Sequence, residues 1–215
     1  MLYSKPDAPD YMDVKGIQLV RRDNCPLVRT ASSEILHVIM EHKNEELAIQ
    51  VAKKHLLALL RGEVPLESLV ISKALRADYK NAEAHPHVQV ARRIHARRGF
   101  PVQSGERVPY VFVDLGAETA DQLQAARAED PDYVREHNVP VDVLYYVDSQ
   151  LSTPIEMLLD VLRPGTFGEL MDGEDIKPLL DALRRKSKDD LVIAKRVKTN
   201  TKNNQREITS FFFRS

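Results

Sequence analysis

Acidic side chains are the first residues of this 215-residue chain that could do chemistry. Metal-assisted reactions on phosphates need carboxylates that converge on metal ions. The acidic residues of this chain fall in helical or turn patterns, which favour solvated surface positions over a metal site. The segment 145–149, Tyr-Tyr-Val-Asp-Ser, offers one aspartate in a helical pattern and is interpreted as core packing. The acidic groups considered are Glu45 with Glu46, Asp172 with Glu174 and Asp175, and Asp189 with Asp190.

Histidine and cysteine chemistry has no better support. The seven histidines are scattered, and none has a ligand-like spacing with a carboxylate. The single cysteine, Cys25, excludes a disulfide within the chain and has no histidine beside it in sequence, which favours a buried structural thiol over a nucleophile. Gly-rich phosphate loops, H-E-x-x-H and G-x-S-x-G do not occur. We therefore predict neither catalytic residues nor a metal site in this chain.

Lysine and arginine residues form a clearer pattern. Such cations can grip phosphates and fix the register of a duplex without reading its sequence. They can equally be solvating surface residues, and both interpretations stay open. Gly16 favours a ligand site beside it, because glycine lets a backbone come close. The groups are Lys15, Arg21 and Arg22 around Gly16; Lys73, Arg76 and Lys80 around Tyr79; and Arg92, Arg93, Arg97 and Arg98 on one predicted helix.

The C-terminal segment combines positive charge with aromatic residues. From Arg184 to Ser215 there are ten Lys or Arg against three Asp or Glu, although the whole chain carries −1. Such an arm commonly binds a partner such as a phosphate backbone; a mobile terminus without a target is the alternative. Its end reads Q-x-x-I-x-x-F-F-F, and three adjacent aromatics favour a partner that buries them. This spacing resembles the peptide that docks replication proteins on a PCNA-type sliding clamp, with Gln205, Ile208, Phe211 and Phe212 as binding residues.

The elements that must position these residues are mainly helical. Strands are predicted over 15–22 and 107–113, with Pro109 indicating an edge or irregular position, while 66–75 fits helix or strand and 1–14 is turn-rich. We predict one mainly α domain with a small β element (α+β), followed by a flexible basic tail. The predicted helices are 27–40, 45–61, 86–98, 121–129, 131–137, 141–162 with an interruption near Pro154, and 175–186.

Composition excludes a membrane-embedded or disulfide-stapled protein. Hydrophobic residues make up 43% and charged residues 29%, which is ordinary for a soluble globular chain. No apolar run approaches the roughly 18–20 residues of a membrane span, and the N-terminus lacks the apolar core of a signal peptide. One cysteine fits a reducing compartment. We expect a soluble, intracellular protein without a membrane partner.

Five sequence blocks, in order, resemble family B DNA polymerases, especially the eukaryotic delta type and its viral relatives. By this resemblance, residues 1–23 are the C-terminal end of the palm, 24–186 are the thumb, and 187–215 are a basic tail with a clamp-binding peptide at 205–212. The blocks are K-G-x-x-x-x-R-R-D at 15–23, L-V-I-S-K-x-L at 69–75, H-P-H-V-Q-V-A-R-R at 85–93, G-x-R-V-P-Y-V at 105–111 and Y-Y-x-x-x-Q-L-x-x-P at 145–154.

The resemblance implies that the chain grips primer–template DNA. Structural ion pairs are an equal alternative for Arg107 and Asp23. The residues expected near the primer strand, just behind its 3′ end, are Lys15, Gly16, Arg21 and Arg22. The residues expected as thumb contacts or supports are Lys73, Tyr79, Lys80, Arg92 and Arg107.

Other parts of the family pattern are missing from the sequence, namely the exonuclease carboxylates, the palm aspartates and the fingers. The resemblance assigns these, with the Mg²⁺ of two-metal phosphoryl transfer, to an N-terminal partner, so this part of a DNA-directed DNA polymerase is expected to be inactive alone. The cysteine-rich modules of the delta type are also missing, which favours a viral or shortened enzyme.

The origin and the role of such a chain leave alternatives open. A split polymerase, a protein-splicing product and a truncated gene product all fit the sequence. A non-enzymatic DNA- or clamp-binding adaptor derived from a thumb is the alternative function. Replication implies the nucleus, or the host nucleus or cytoplasm for a virus.

Overall fold

The computed structural model describes residues 2–5, 8–14, 24–99, 101–116 and 123–212, with the backbone alone in 2–5, 8–14 and 196–212. The described part is mainly helical with small antiparallel sheets, so the α+β prediction is confirmed. The helices are α1 (Pro26–His37), α2 (Glu45–Leu60), α3 (Pro86–Arg98), α4 (Pro131–His137), α5 (Val143–Tyr145), α6 (Ser152–Leu159), α7 (Thr166–Met171) and α8 (Lys177–Phe212). The strands are β1 (Leu2–Lys5), β2 (Ala8–Val14), β3 (Ile71–Ala74), β4 (Arg107–Phe112) and β5 (Ala128–Glu129).

Local signals set the ends of several helices, and those of α3 are as predicted. Pro86 opens α3, and Gly99 ends it with a φ of 77°, a left-handed conformation that glycine adopts without strain. Asn44 caps α2 by accepting a hydrogen bond from the Leu47 N–H at 3.0 Å. The predictions of α1, α2, α3 and α4 are therefore confirmed, α1 continuing into a π-helical turn at Val38–His42.

The three-stranded sheet has the order β3-β4-β5 and is antiparallel throughout. Segment 66–75, left open between helix and strand, forms a 3₁₀ turn at Leu66–Ser68 and then β3. Strand β4 is central in the sheet order, but the edge position predicted from Pro109 holds locally. Pro109 faces Ser72 of β3 on one side, and β5 pairs only with Val111 and Phe112, so the proline lies beyond the end of β5.

The core lies between one face of this sheet and helices α1, α2 and α6. Ile71 and Tyr110 form a buried cross-strand pair on that inner face. Ile35 of α1, Leu56 of α2 and Ile155 of α6 contribute to this core and are fully buried. Removing a side chain of this size from water stabilises the fold by about 1.5–3 kcal/mol. Ser72 and Arg107 lie on the opposite, outer face, because side chains alternate along a strand.

Three other predictions fail, two of them where strand pairing overrides local signals, and one helix was missed. Segment 1–14 contains the hairpin β1–β2 rather than only turns, since short strands can pair around turn residues. In predicted helix 121–129, Gln124–Arg127 are 3₁₀ and Ala128–Glu129 pair with β4. Helix α7 was not predicted. The helix predicted to end at residue 186 continues to Phe212, so the segment predicted as a tail has a helical backbone; it contains neither Gly nor Pro to end the helix.

The predicted helical region 141–162 is confirmed in outline. It consists of α5, a π-helical segment at Tyr146–Leu151 and α6, and Pro154 stands in the first turn of α6. A proline there loses no helical hydrogen bond. No helix within the described ranges is both long and apolar enough to cross a bilayer.

Candidate nucleic-acid interface

The candidate site residues differ in how far the structure describes them. Lys15, Gly16, Arg21 and Arg22 lie outside the described residues, as does the strand predicted over 15–22. Gln205, Ile208, Phe211 and Phe212 stand on the backbone of α8, beyond the range in which side chains are described. The remaining candidates are Lys73, Tyr79, Lys80, Arg92 and Arg107.

Tyr79 joins the loop after β3 to the first turn of α3. Its hydroxyl accepts a hydrogen bond from the Arg76 N–H at 2.8 Å and bonds to His87 Nε2 at 2.8 Å. Its ring also packs against the rings of His85 and His87, with centroids 4.8 and 5.6 Å apart. The hydroxyl is thus engaged within the fold, and Tyr79 supports the loop that carries the cations.

His87 lies under this loop and is only 2% exposed. Burial lowers the pKa of His87 to about 4, and the charges of Lys73, His85 and Arg76 act in the same direction. His87 is therefore neutral at physiological pH. A neutral His87 does not repel the positive charges of Lys73 and Arg76.

Lys73, Arg76 and Lys80 form the group that we call the loop cations. All three are exposed. None of them forms an ion pair with a carboxylate in the part of the chain whose side chains are described, whereas most nearby arginines do. Lys73 stands at the end of β3, and Arg76 and Lys80 stand on the loop after it. Cations that lack a carboxylate partner and stand on a fixed backbone are suited to binding phosphates.

The arginines of α3 have a different role. Arg97 makes a bidentate pair with Glu129, at 2.9 and 3.0 Å, and lies 3.7 Å from the ring centroid of Tyr133. Arg98 pairs with Asp130 at 3.1 Å, and Arg93 donates to the carbonyl oxygen of Ala126 at 3.3 Å. These contacts tie α3 to β5 and α4, so the structural interpretation holds for these three arginines.

Glu129 is the centre of these α3 contacts. Burial acts to raise its pKa, but hydrogen bonds from Arg97 and from the Asp130 N–H, with the charges of Arg93 and Arg97, outweigh burial and hold the pKa of Glu129 below its usual value. The carboxylate is therefore ionised at neutral pH and neutralises part of the arginine charge. This pairing could not be inferred from the sequence, because Glu129 stood within a predicted helix.

Arg92 and Arg107 differ from the loop cations because both are bonded to other residues of the fold. Arg92 forms an exposed ion pair with Glu83. Arg107 lies on the outer face of the sheet, where its Nε donates to Ser72 Oγ at 3.0 Å and a terminal N–H donates to the Ser72 carbonyl oxygen. Lys73 lies between Ser72 and Ala74 on β3, so its side chain points to the other face of the sheet. Lys73 and Arg107 therefore lie on opposite faces.

Groups that could support catalysis or metal binding are few in the described region. No set of three or more His, Cys, Asp or Glu residues converges there to hold a metal ion. Cys25 is fully buried, and burial raises the pKa of its thiol to about 11. The thiol is therefore protonated at neutral pH, as the interpretation of a structural cysteine requires.

Comparisons with known proteins point to one family. The profile described as DNA polymerase family B matches residues 1–162. The DNA polymerase of Paramecium bursaria Chlorella virus NY2A is 40% identical over 210 residues, covering 98% of this chain and 23% of that protein. The DNA polymerase delta catalytic subunit of Candida albicans is 35% identical over 182 residues, covering 83% of this chain and 17% of that protein.

A solved structure agrees at the level of the fold. The family B DNA polymerase of the hyperthermophilic archaeon Pyrobaculum calidifontis matches with a TM-score of 0.57 and 24% identity, over 73% of this chain and 19% of that chain. The chain thus spans less than a quarter of the length of the relatives it matches.

Proposed function

The chain belongs to DNA polymerase family B, and we propose that within this family it is a DNA-gripping part, the thumb with the end of the palm. The family identified from the five sequence blocks is confirmed. The proposal keeps the boundaries 1–23 for the end of the palm, 24–186 for the thumb and 187–215 for the tail. Its substrate is primer–template DNA.

The loop cations are the observation that carries this proposal. Lys73 at the end of β3, with Arg76 and Lys80 on the following loop that Tyr79 fastens to α3, present three exposed positive charges. Phosphate backbones bind to such charges with a strong dependence on salt, because counterions are released. We propose Lys73 and Lys80 as phosphate contacts and Tyr79 as their support. Arg92, which is paired with Glu83, supports the same helix.

The N-terminal cations extend this grip in the proposal. Lys15, Gly16, Arg21 and Arg22 match the K-G-x-x-x-x-R-R-D block, and we assign them to the primer strand near its 3′ end. Nucleotide incorporation is assigned to carboxylates and Mg²⁺ on the rest of the polymerase. The isolated chain is therefore expected to bind duplex DNA without extending a primer.

The C-terminal segment adds a tether in this proposal. The positions of Gln205, Ile208, Phe211 and Phe212 match a clamp-docking peptide, and the backbone over them is helical. The spacing of residues 208, 211 and 212 is i, i+3 and i+4, which a helical turn brings to one side. A PCNA-type clamp would then hold the polymerase at sites of replication, in the nucleus or in an infected host cell.

Duplex binding by the purified chain tests the proposal. Fluorescence anisotropy with a labelled primer–template should give a Kd on the order of 10⁻⁴–10⁻⁶ M at physiological salt, as for sequence-independent binding. Replacing both Lys73 and Lys80 by Gln should reduce the slope of log K against log[salt] by about 1.8, since each phosphate contact contributes about 0.9.

A charge-matched control separates these contacts from net charge. Lys54 and Lys177 already pair with Glu34 at 3.6 Å and with Asp172 at 2.7 Å, so the Lys54→Gln, Lys177→Gln variant should keep the parent slope. An unchanged slope in the Lys73, Lys80 variant would contradict the phosphate contacts. Primer extension by the chain alone would contradict the assignment of catalysis to another part.

A further inference from the structure

A polar cleft of about 320 Å³ lies on the outer face of the sheet, away from the loop cations. It stands between the start of α1 and strands β3 and β4. Its volume corresponds to roughly ten water molecules, enough for a phosphate group with part of its hydration. The cleft is lined by Asn24, Arg29, Val70, Ser72 and Arg107, and no carboxylate is among them.

The two arginines of the cleft come from distant parts of the chain. Arg107 is held by its two bonds to Ser72, which leaves three of the five N–H donors of its guanidinium for a ligand. Arg29 is exposed on the first turns of α1. Within the residues whose side chains are described, neither arginine forms an ion pair with a carboxylate.

Two guanidinium groups that line one cleft repel each other unless an anion lies between them. The planar fork of a guanidinium matches the oxygens of a phosphate, and Arg binds phosphate in a bidentate manner. Ser72 and Asn24 add polar groups to the lining. The charge and polar lining of the cleft thus suit a phosphate group.

We propose that this cleft binds one backbone phosphate of the nucleic acid, shared by Arg29 and Arg107. The inference rests on the proposed grip of duplex DNA and deepens it, because it adds a contact on the sheet face opposite to Lys73. Arg29 belongs to none of the cationic groups found in the sequence. Folding brings it beside Arg107.

Salt dependence of duplex binding tests the shared phosphate. The Arg29→Gln, Arg107→Gln double variant should reduce the slope of log K against log[salt] by about 0.9, the contribution of one phosphate, and neither single variant should reduce it by more, since both arginines serve one phosphate. Arg163→Gln is the matched control, because Arg163 is already paired with Glu169 at 2.7 Å and should leave the slope unchanged.

Two results would overturn the proposal, namely an unchanged slope in the double variant, or a double variant that loses about 1.8, which would mean two separate phosphates. A second measurement separates the cleft from the wider function. In the full chain, NMR signals of the Arg29 and Arg107 Nε–H groups should shift together when the dinucleotide d(TpT) is added, and those of Arg163 should not. Shifts without duplex binding would retain the cleft and refute the grip, and an absence of shifts would refute the cleft.

Discussion

Single buried polar groups fasten the elements of the described region to one another. Tyr146 is fully buried; its hydroxyl donates to the Leu69 carbonyl oxygen at 2.8 Å and accepts from the Phe112 N–H at 3.1 Å. One side chain thereby joins the segment before β3 to β4. Gln150 joins the π-helical segment Tyr146–Leu151 to the start of α1, because its Oε1 accepts a hydrogen bond from the Cys25 N–H at 3.2 Å.

Replacing Tyr146 by Phe tests the first of these links. The variant keeps the ring but leaves the Phe112 N–H and the Leu69 carbonyl without their partner in the core. Because an unsatisfied buried group costs about 1–3 kcal/mol, we expect the free energy of unfolding to fall by that amount. Urea unfolding followed by circular dichroism measures it.

Tyr133→Phe provides the control for this substitution. Tyr133 is partly exposed, and its ring stacks on His137 and on Arg97, contacts that a phenylalanine ring retains. The free energy of unfolding of this variant should stay within about 0.5 kcal/mol of the value for the parent. Equal midpoints for the Tyr146 variant and the parent would mean that water replaces the lost hydroxyl.

At the scale of elements, α3 is attached to β5 and α4 chiefly through charge. Glu129 accepts both terminal N–H groups of Arg97 and lies 3.4 Å from Arg93. Its side chain is only 11% exposed, so water screens these pairs little. The contacts orient α3, whose first turn holds His87 and through it Tyr79 and the loop cations.

Glu129→Gln should therefore destabilise the fold by about 1–3 kcal/mol at pH 7, since Arg93 and Arg97 lose their counter-charge. The folded-state pKa of Glu129 lies below the unfolded value of 4.5, so the ion pair stabilises the protein above that value. This contribution is lost as pH falls below 4.5 and through the folded-state pKa. Urea midpoints at pH 7 and pH 3.5 should show the gap between parent and variant narrowing.

The exposed pair of Arg163 with Glu169 supplies the matched control. Glu169→Gln removes an equally bidentate partner, at 2.8 and 2.7 Å, but from a solvated position. It should change the midpoint little at either pH. An equal effect of the two substitutions would show that burial of Glu129 does not strengthen its ion pair.

Elements with their own start and stop signals could be predicted from the sequence, and elements made by distant partners could not. Helix α3 was placed by Pro86 and Gly99 alone. The two-residue strand β5 exists only because β4 pairs with it. The site divides in the same way: Tyr79 stood near Lys73 in sequence, but its bond to His87 and the approach of Arg29 to Arg107 arise from the fold.

At the scale of the whole molecule, positive charge is concentrated at the C-terminus of a nearly neutral chain. The net charge is −1, yet Arg184 to Ser215 hold ten Lys or Arg against three Asp or Glu. The backbone of residues 184–212 belongs to the single helix α8, which is 36 residues long. At 1.5 Å per residue such a helix spans about 54 Å, far enough to carry the proposed clamp peptide away from the proposed DNA-binding surface.

Removing the aromatic anchors tests this tether. Phe211→Ala with Phe212→Ala should weaken binding of the chain to immobilised PCNA at least about 30-fold, because buried aromatic anchors contribute about 2 kcal/mol or more. Surface plasmon resonance at fixed salt measures the change. Binding of primer–template DNA should be unaltered, since neither phenylalanine carries charge.

Val192→Ala with Ile193→Ala is the matched control for the clamp experiment. These side chains lie earlier on α8 and are 47% and 48% exposed, so the substitution removes apolar surface from the same helix outside the peptide. It should leave the affinity for PCNA unchanged. If both double variants bind as the parent does, the C-terminal peptide is not a clamp tether; if both weaken equally, α8 binds through general apolar surface rather than through Phe211 and Phe212. Loss confined to the phenylalanine variant would make residues 205–212 a separate attachment point, independent of the loop cations.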